Sequence, residues 1–339
     1  MSAARPAFDL RGNSTARRTV RVDFWGEPRD VYANANLSVY SAQTCNARCA
    51  FCVEELRPTS RGVALAGQKR IEHDDSRWFG ALDAVLSLVQ RDLRPSVSVT
   101  GGEPSKDPRL PRLLRVLAAA GARKRTVTTN GSGLLDVRDG RRVVDWIAAT
   151  GVTHLNVSRA HVDHDVNARL MGYREGPTLD DLRAVVAAAR AGGARVRLSC
   201  VLVRGAVDST EAIVRYVDFA RSLGVDNVIF RQLMRTDPRT VEPNFVVRFS
   251  DRKRAPLGPL LDELRSDPRF TFVKPIIGYY YYVEVWRFEE VDVVFEEADL
   301  ARIEEEKRGN GRVVHELVFH PSAELASTWQ PWDGVLGPP

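Results

Sequence analysis

The chain has 339 residues, 44% of them hydrophobic and 27% charged, with 24 Gly and 18 Pro. This globular composition excludes collagen, coiled coil and wholesale disorder. The net charge of +5 is small and uneven: basic residues outnumber acidic ones over 1–70, and the reverse holds over 284–306. No continuous basic stripe or nucleic-acid motif accompanies that excess, no apolar run is long enough to cross a bilayer, and the first twenty residues lack the apolar segment of a secretory signal. The expectation is a soluble cytoplasmic protein with neither nucleic acid nor membrane as partner.

Hydrophobic period places a short strand at 34–41, running into a cysteine-rich loop. Trp78, Phe79, Leu82, Val85, Leu86 and Val89 then recur at helical spacing behind the N-cap types Asp74, Asp75 and Ser76. A strand at 97–100 precedes a helix at 110–120 stopped by Gly121. The alternation continues with a strand at 126–130, a helix at 141–149, a strand at 154–158, and a helix at 179–191 closed by Gly192 and Gly193. A strand at 195–203, a helix at 211–223 closed by Gly224 and a strand at 227–233 complete it. This is the βα order of a parallel α/β sheet, open or barrel-like, with its sites at the carboxyl ends of the strands.

After Met234 the rhythm breaks into a Pro- and Arg-rich stretch, followed by strand-like runs at 270–273, 279–288, 291–295 and 313–320. The expected organisation is an N-terminal extension over 1–33, an α/β core over 34–235 and a strand-rich α+β extension over 236–339 that covers the substrate.

The strongest chemical signal is Cys45-Asn-Ala-Arg-Cys49-Ala-Phe-Cys52, three thiols spaced C-x3-C-x2-C directly after a strand. Soft thiolates at this density select zinc or iron and sulfur. A closed zinc site or an ordinary cubane cluster takes four ligands, and here the local fourth is missing. Cys200, the remaining cysteine, lies in a strand where alternation turns it away from Arg197 and Ser199, toward the core. A zinc knot completed by Cys200 or a histidine is the competing structural reading.

Cys45, Cys49 and Cys52, with aromatic Phe51 before the third, resemble the signature of the radical S-adenosylmethionine (radical SAM) enzymes, in particular the molybdenum-cofactor-biosynthesis type. The resemblance implies a partial (β/α)6 TIM-type barrel and a [4Fe-4S] cluster on the three cysteines that lends an electron to S-adenosylmethionine (SAM). It also implies an electron donor such as flavodoxin or ferredoxin. Gly101-Gly102-Glu103 at the end of the next strand is similar to the family's GGE motif, which holds the SAM amino group. Thr128 and Asn130 match its TTNG step, Ser158 its N-x-S pattern by the ribose or carboxylate, Arg197 a carboxylate-binding residue, and Met234 a neighbour of the adenine.

Beyond Ser158 the chain departs from the family pattern, and the loop with His161 and His164 is read as substrate-specific, His161 as a candidate contact. In the tail, Tyr280, Tyr282 and Arg287 form a candidate ring-stacking and anion-clamping lid. With four cysteines no second cluster is expected. The implied substrate is a small polar or anionic molecule, a sugar or nucleoside in natural-product (antibiotic) biosynthesis. The alternatives are a peptide-modifying radical SAM enzyme and a non-enzymatic zinc-binding module.

Overall fold

The computed structural model describes residues 18–40, 45–56, 74–236, 243–278, 281–298, 311–330 and 333–337, with a few isolated positions between 239 and 309. It opens on a hairpin of strands β1 (Thr19–Phe24) and β2 (Glu27–Tyr32). The turn residues Trp25 and Gly26 take φ of 51° and 92°, the two positive values that a short hairpin turn demands.

From there the βα alternation follows. Strand β3 (Leu37–Tyr40) leads through the cysteine loop to helix α1 (Asp75–Asp92), capped by the Asp74 carboxylate, which accepts the Ser76 N–H. Then come β4 (Val97–Thr100), α2 (Leu110–Ala119), β5 (Arg125–Thr129), the two-residue strands β6 (Val137–Arg138) and β7 (Arg141–Arg142), and α3 (Val143–Ala149). Strand β8 (His154–Ser158) is followed by two helices, α4 (His164–Met171) and α5 (Leu179–Ala191). Strand β9 (Arg195–Leu202), α6 (Thr210–Ser222) and β10 (Asn227–Gln232) complete the series. Two helices, α7 (Phe245–Lys253) and α8 (Leu257–Ser266), come next. The strands β11 (Phe270–Ile277), β12 (Tyr281–Phe288), β13 (Val291–Ala298), β14 (Val313–Val314), β15 (Leu317–Phe319) and β16 (Leu325–Ala326) follow.

Strands β3, β4, β5, β8, β9 and β10 are neighbours in that order and parallel throughout, as the sequence period predicts. The residues after 236 continue the same sheet at both ends. Strand β13 pairs in parallel with β10 and carries the β12–β11 hairpin, while β15 pairs in parallel with β3. The result is one mixed eleven-stranded sheet, ending on β11 and β16, that does not close into the partial barrel expected, and the tail extends that sheet at both ends. Strand β14 joins β2 in a separate three-stranded sheet with β1.

Strand β9 shows the two faces. Val196, Leu198, Cys200 and Leu202 are buried in the main core, and Arg195, Arg197, Ser199 and Val201 are half-buried on the other side. Among the described residues no helix is long and apolar enough to cross a membrane.

Candidate active site

Because β3, β4, β5 and β8 are parallel, their carboxyl ends bring four loops to one edge of the sheet. The cysteine loop is held there by the end of α4. The Arg48 N–H donates to the Met171 carbonyl and the Ala50 N–H to the Leu170 carbonyl, both at 3.0 Å. The helix stops on Gly172 at φ 64°, where an added Cβ would lie 2.4 Å from the Arg48 carbonyl oxygen, so only glycine allows this approach. Within the loop, Cys45 Sγ lies 3.4 Å from the Ala47 N–H and 3.6 Å from Asn130 Nδ2, and Cys49 Sγ lies 3.9 Å from Met171 Sδ. Burial, and then the neighbouring Cys52 and Cys45, push the Cys49 thiol up.

The facing wall is built from the ends of β4 and β5. Gly101 has φ 77° and packs on the ring of Tyr40, which a Cβ would approach to 2.6 Å. Glu103 is buried and knits the two strand ends together. Its Oε1 accepts from Ser105 N–H (2.9 Å), Ser105 Oγ (2.6 Å) and the Thr129 hydroxyl, and its Oε2 from Asn130 N–H (2.6 Å). Burial pushes its carboxyl up against the pull of these donors. Each oxygen of Glu103 thus accepts from the protein, three donors on Oε1 and one on Oε2. Asn130 Nδ2 donates to Asn46 Oδ1 at 2.9 Å and the Tyr173 hydroxyl to the Asn130 carbonyl at 2.9 Å, so β5, the α4–α5 turn and the cysteine loop are mutually fixed.

Between these walls lies a cavity of about 650 Å³. It brings together Cys45, Cys49, Cys52, Phe51, Gly101, Gly102, Glu103, Thr128, Asn130 and Ser158. Other predicted residues stand elsewhere. Arg197 does not line the cavity: its Nε donates to Asn227 Oδ1, and burial with Arg231 and Arg195 beside it pulls its pKa down to about 10. Met234 packs on the main core. His161 accepts the Asp163 N–H at 3.0 Å within its own loop, and burial lowers its pKa. Tyr282 donates to Glu284 at 2.6 Å, on the strand face that also bears Trp286. Arg287 pairs with Asp292 at 2.9 Å near the start of β13, at the end of the sheet opposite the cysteine loop, whereas Tyr282 stands opposite Glu297 near the other end of β13. Tyr280 lies outside the described residues.

The cavity also has walls that motif reading missed. Met171 comes from α4, Glu54 from the 3₁₀ turn Val53–Leu56, and Asn244, Phe245 and Val246 from the start of α7. The signal for the last was an Asn ahead of an apolar run, since Asn244 caps α7 through the Val247 N–H. Among the described residues no three His, Cys, Asp or Glu gather closely enough to hold a single metal ion. Cys200 lies fully buried with its thiol on the Ala160 carbonyl at 3.5 Å.

A model of the radical SAM superfamily matches residues 39–217, from β3 into α6. The chain belongs to the radical SAM superfamily. Members of this family bind a [4Fe-4S] cluster and SAM, and three soft thiols with no fourth beside them suit such a cluster. This radical SAM chain is 30% identical over 198 residues to GTP 3',8-cyclase of Stenotrophomonas maltophilia, covering 57% of this chain and 53% of that protein. It is 30% identical over 203 residues to PqqA peptide cyclase of Ruegeria pomeroyi, covering 59% and 48%. It thus spans about half the length of the curated relatives it matches. Among solved structures, SuiB of Streptococcus suis bound to S-adenosylmethionine aligns with a TM-score of 0.45 at 20% identity over 62% of this chain and 44% of that one.

Proposed function

We propose that Cys45, Cys49 and Cys52 hold the [4Fe-4S] cluster, and that Phe51, Gly101, Gly102, Glu103, Thr128, Asn130 and Ser158 line the place of SAM. The observation that carries this reading is the single cavity onto which all ten of these residues open. Held by the three cysteines, a [4Fe-4S] cluster would supply the electron for reductive cleavage of SAM and so the radical chemistry on the substrate. The chain's own residues bind and orient. Gly101 and Gly102 let backbone approach the ligand, Glu103 fixes the two strand ends, and Phe51 and Val246 supply apolar wall that excludes water. Electrons come from a flavodoxin or ferredoxin.

The substrate is a small polar molecule, a sugar or nucleoside of natural-product biosynthesis, modified by epimerisation, dehydration, decarboxylation or carbon–carbon coupling. A cavity of about 650 Å³, in the range of ordinary small-molecule sites, supports a ligand of that size beside SAM. A peptide substrate is the second reading, favoured by the equal 30% identity to a peptide cyclase. Anaerobic reconstitution tests the core of the proposal. The wild type binds about four irons and releases 5′-deoxyadenosine on reduction with SAM, whereas Cys49→Ala loses both. A colourless protein that binds zinc overturns it. A panel of nucleosides, nucleotide sugars and peptides, scored by deuterium transfer into 5′-deoxyadenosine, separates the two substrate classes.

A further inference from the structure

The two backbone amides that flank Cys49 are turned away from its sulfur. Arg48 N–H and Ala50 N–H are both taken by carbonyls at the end of α4, Met171 and Leu170, at 3.0 Å. What stands against Cys49 Sγ is the Met171 thioether at 3.9 Å, which has no proton to give. Among the described residues the only amide acting on Cys49 Sγ is its own. Cys45 differs, with the Ala47 N–H at 3.4 Å and the Asn130 amide at 3.6 Å from its sulfur. The arrangement is held by fit, since Gly172 sits where any Cβ would meet the Arg48 carbonyl at 2.4 Å. Met171 itself is 1% exposed, so its side chain is held in place by packing.

Hydrogen bonds to cysteine sulfur withdraw charge from the metal–thiolate unit and raise the potential of an iron–sulfur centre, and dry apolar surroundings lower it. We infer that α4 is a potential-setting element. By taking the amides beside Cys49 and placing the Met171 thioether against its sulfur, it makes the centre on the cysteine loop harder to reduce and its electron more reducing. Met171 is thus a positioning residue that acts through Cys49. The inference rests on the proposal that the three cysteines hold a [4Fe-4S] cluster.

An EPR-monitored redox titration of the reconstituted enzyme without SAM tests it. Met171→Gln places an N–H donor at the thioether's position and raises the potential, so that at a fixed applied potential the ratio of reduced to oxidised cluster grows about tenfold, or about 59 mV for one electron. Met171→Leu, which alters the side chain without adding a donor, stays within about twofold of wild type, about 18 mV by the same constant. Asn130→Ala, which removes the amide contact to Cys45, shifts the ratio the opposite way and serves if the Gln variant does not fold. Equal potentials for wild type, Met171→Gln and Met171→Leu overturn the inference while the cluster assignment stands. A wild type that takes up no iron overturns both.

Discussion

At the scale of single residues, Gly101 and Glu103 show how the family motif works in this chain. Gly101 is required by a positive φ and by the Tyr40 ring beneath it, and Glu103 has most of its acceptor capacity filled by the protein. Gly101→Ala therefore costs about 1–2 kcal/mol in stability from the left-handed backbone alone. It also weakens SAM binding as Tyr40 is displaced, measured by urea unfolding and equilibrium dialysis. The three thiols and the strand-end motifs were legible because short motifs fix both residue type and place in a βα unit. Arg197 stands on the expected row of β9 but only three residues into it, and a motif does not tell how far from the carboxyl end a side chain is held: this one is bound to Asn227 at the start of β10.

His154 offers a pH test at the same scale. Burial, with Lys124, Arg197 and Arg195 nearby, lowers its pKa from 6.5 to about 4 in the folded protein. It is neutral when folded and takes up a proton more readily when unfolded, so its contribution to stability is present above pH 6.5 and is lost as the pH falls toward 4. The urea midpoint of the wild type falls between pH 7 and pH 5. In His154→Gln the fall is smaller, and an equal fall in both proteins contradicts this assignment.

At the scale of elements, the helices with clear caps and the strands of the parallel core follow the hydrophobic period closely, with β4, β8 and α5 over the expected residues. Helix α5 starts with a full capping box, Thr178 accepting from Asp181 N–H and the Asp181 carboxylate accepting from Thr178 N–H. Thr178→Ala lowers stability by about 1 kcal/mol in chemical denaturation. The β1–β2 hairpin escaped because its turn is Trp-Gly rather than Asn-Gly. Helices α7 and α8 escaped because prolines at Pro243 and Pro256 mask their starts, although proline is well tolerated just ahead of a helix. Helix α4 was read as a loop around His161 and His164, and its eight residues prove to be the support of the cysteine loop.

At the scale of the whole molecule, the tail contributes to both sides of one sheet. That topology was not legible, because strand runs announce themselves by local pattern while their partners lie elsewhere in the chain, as Leu37 does for Leu317 and Asn227 for Asp292. Leu317, Val318 and Phe319 are fully buried, and β15 covers the β3 side of the core. Truncation after residue 312 leaves β3 as an unprotected edge over the cysteine loop, and the shortened protein sediments as aggregate where the full chain remains in solution.

The pairing of β15 with β3 also imposes an order on biosynthesis. Residue 37 leaves the ribosome well before its neighbour at 317 has been translated, a gap of roughly 14 to 56 s at ordinary elongation rates. Throughout that interval the strand that leads into the three thiols lacks its flanking partner.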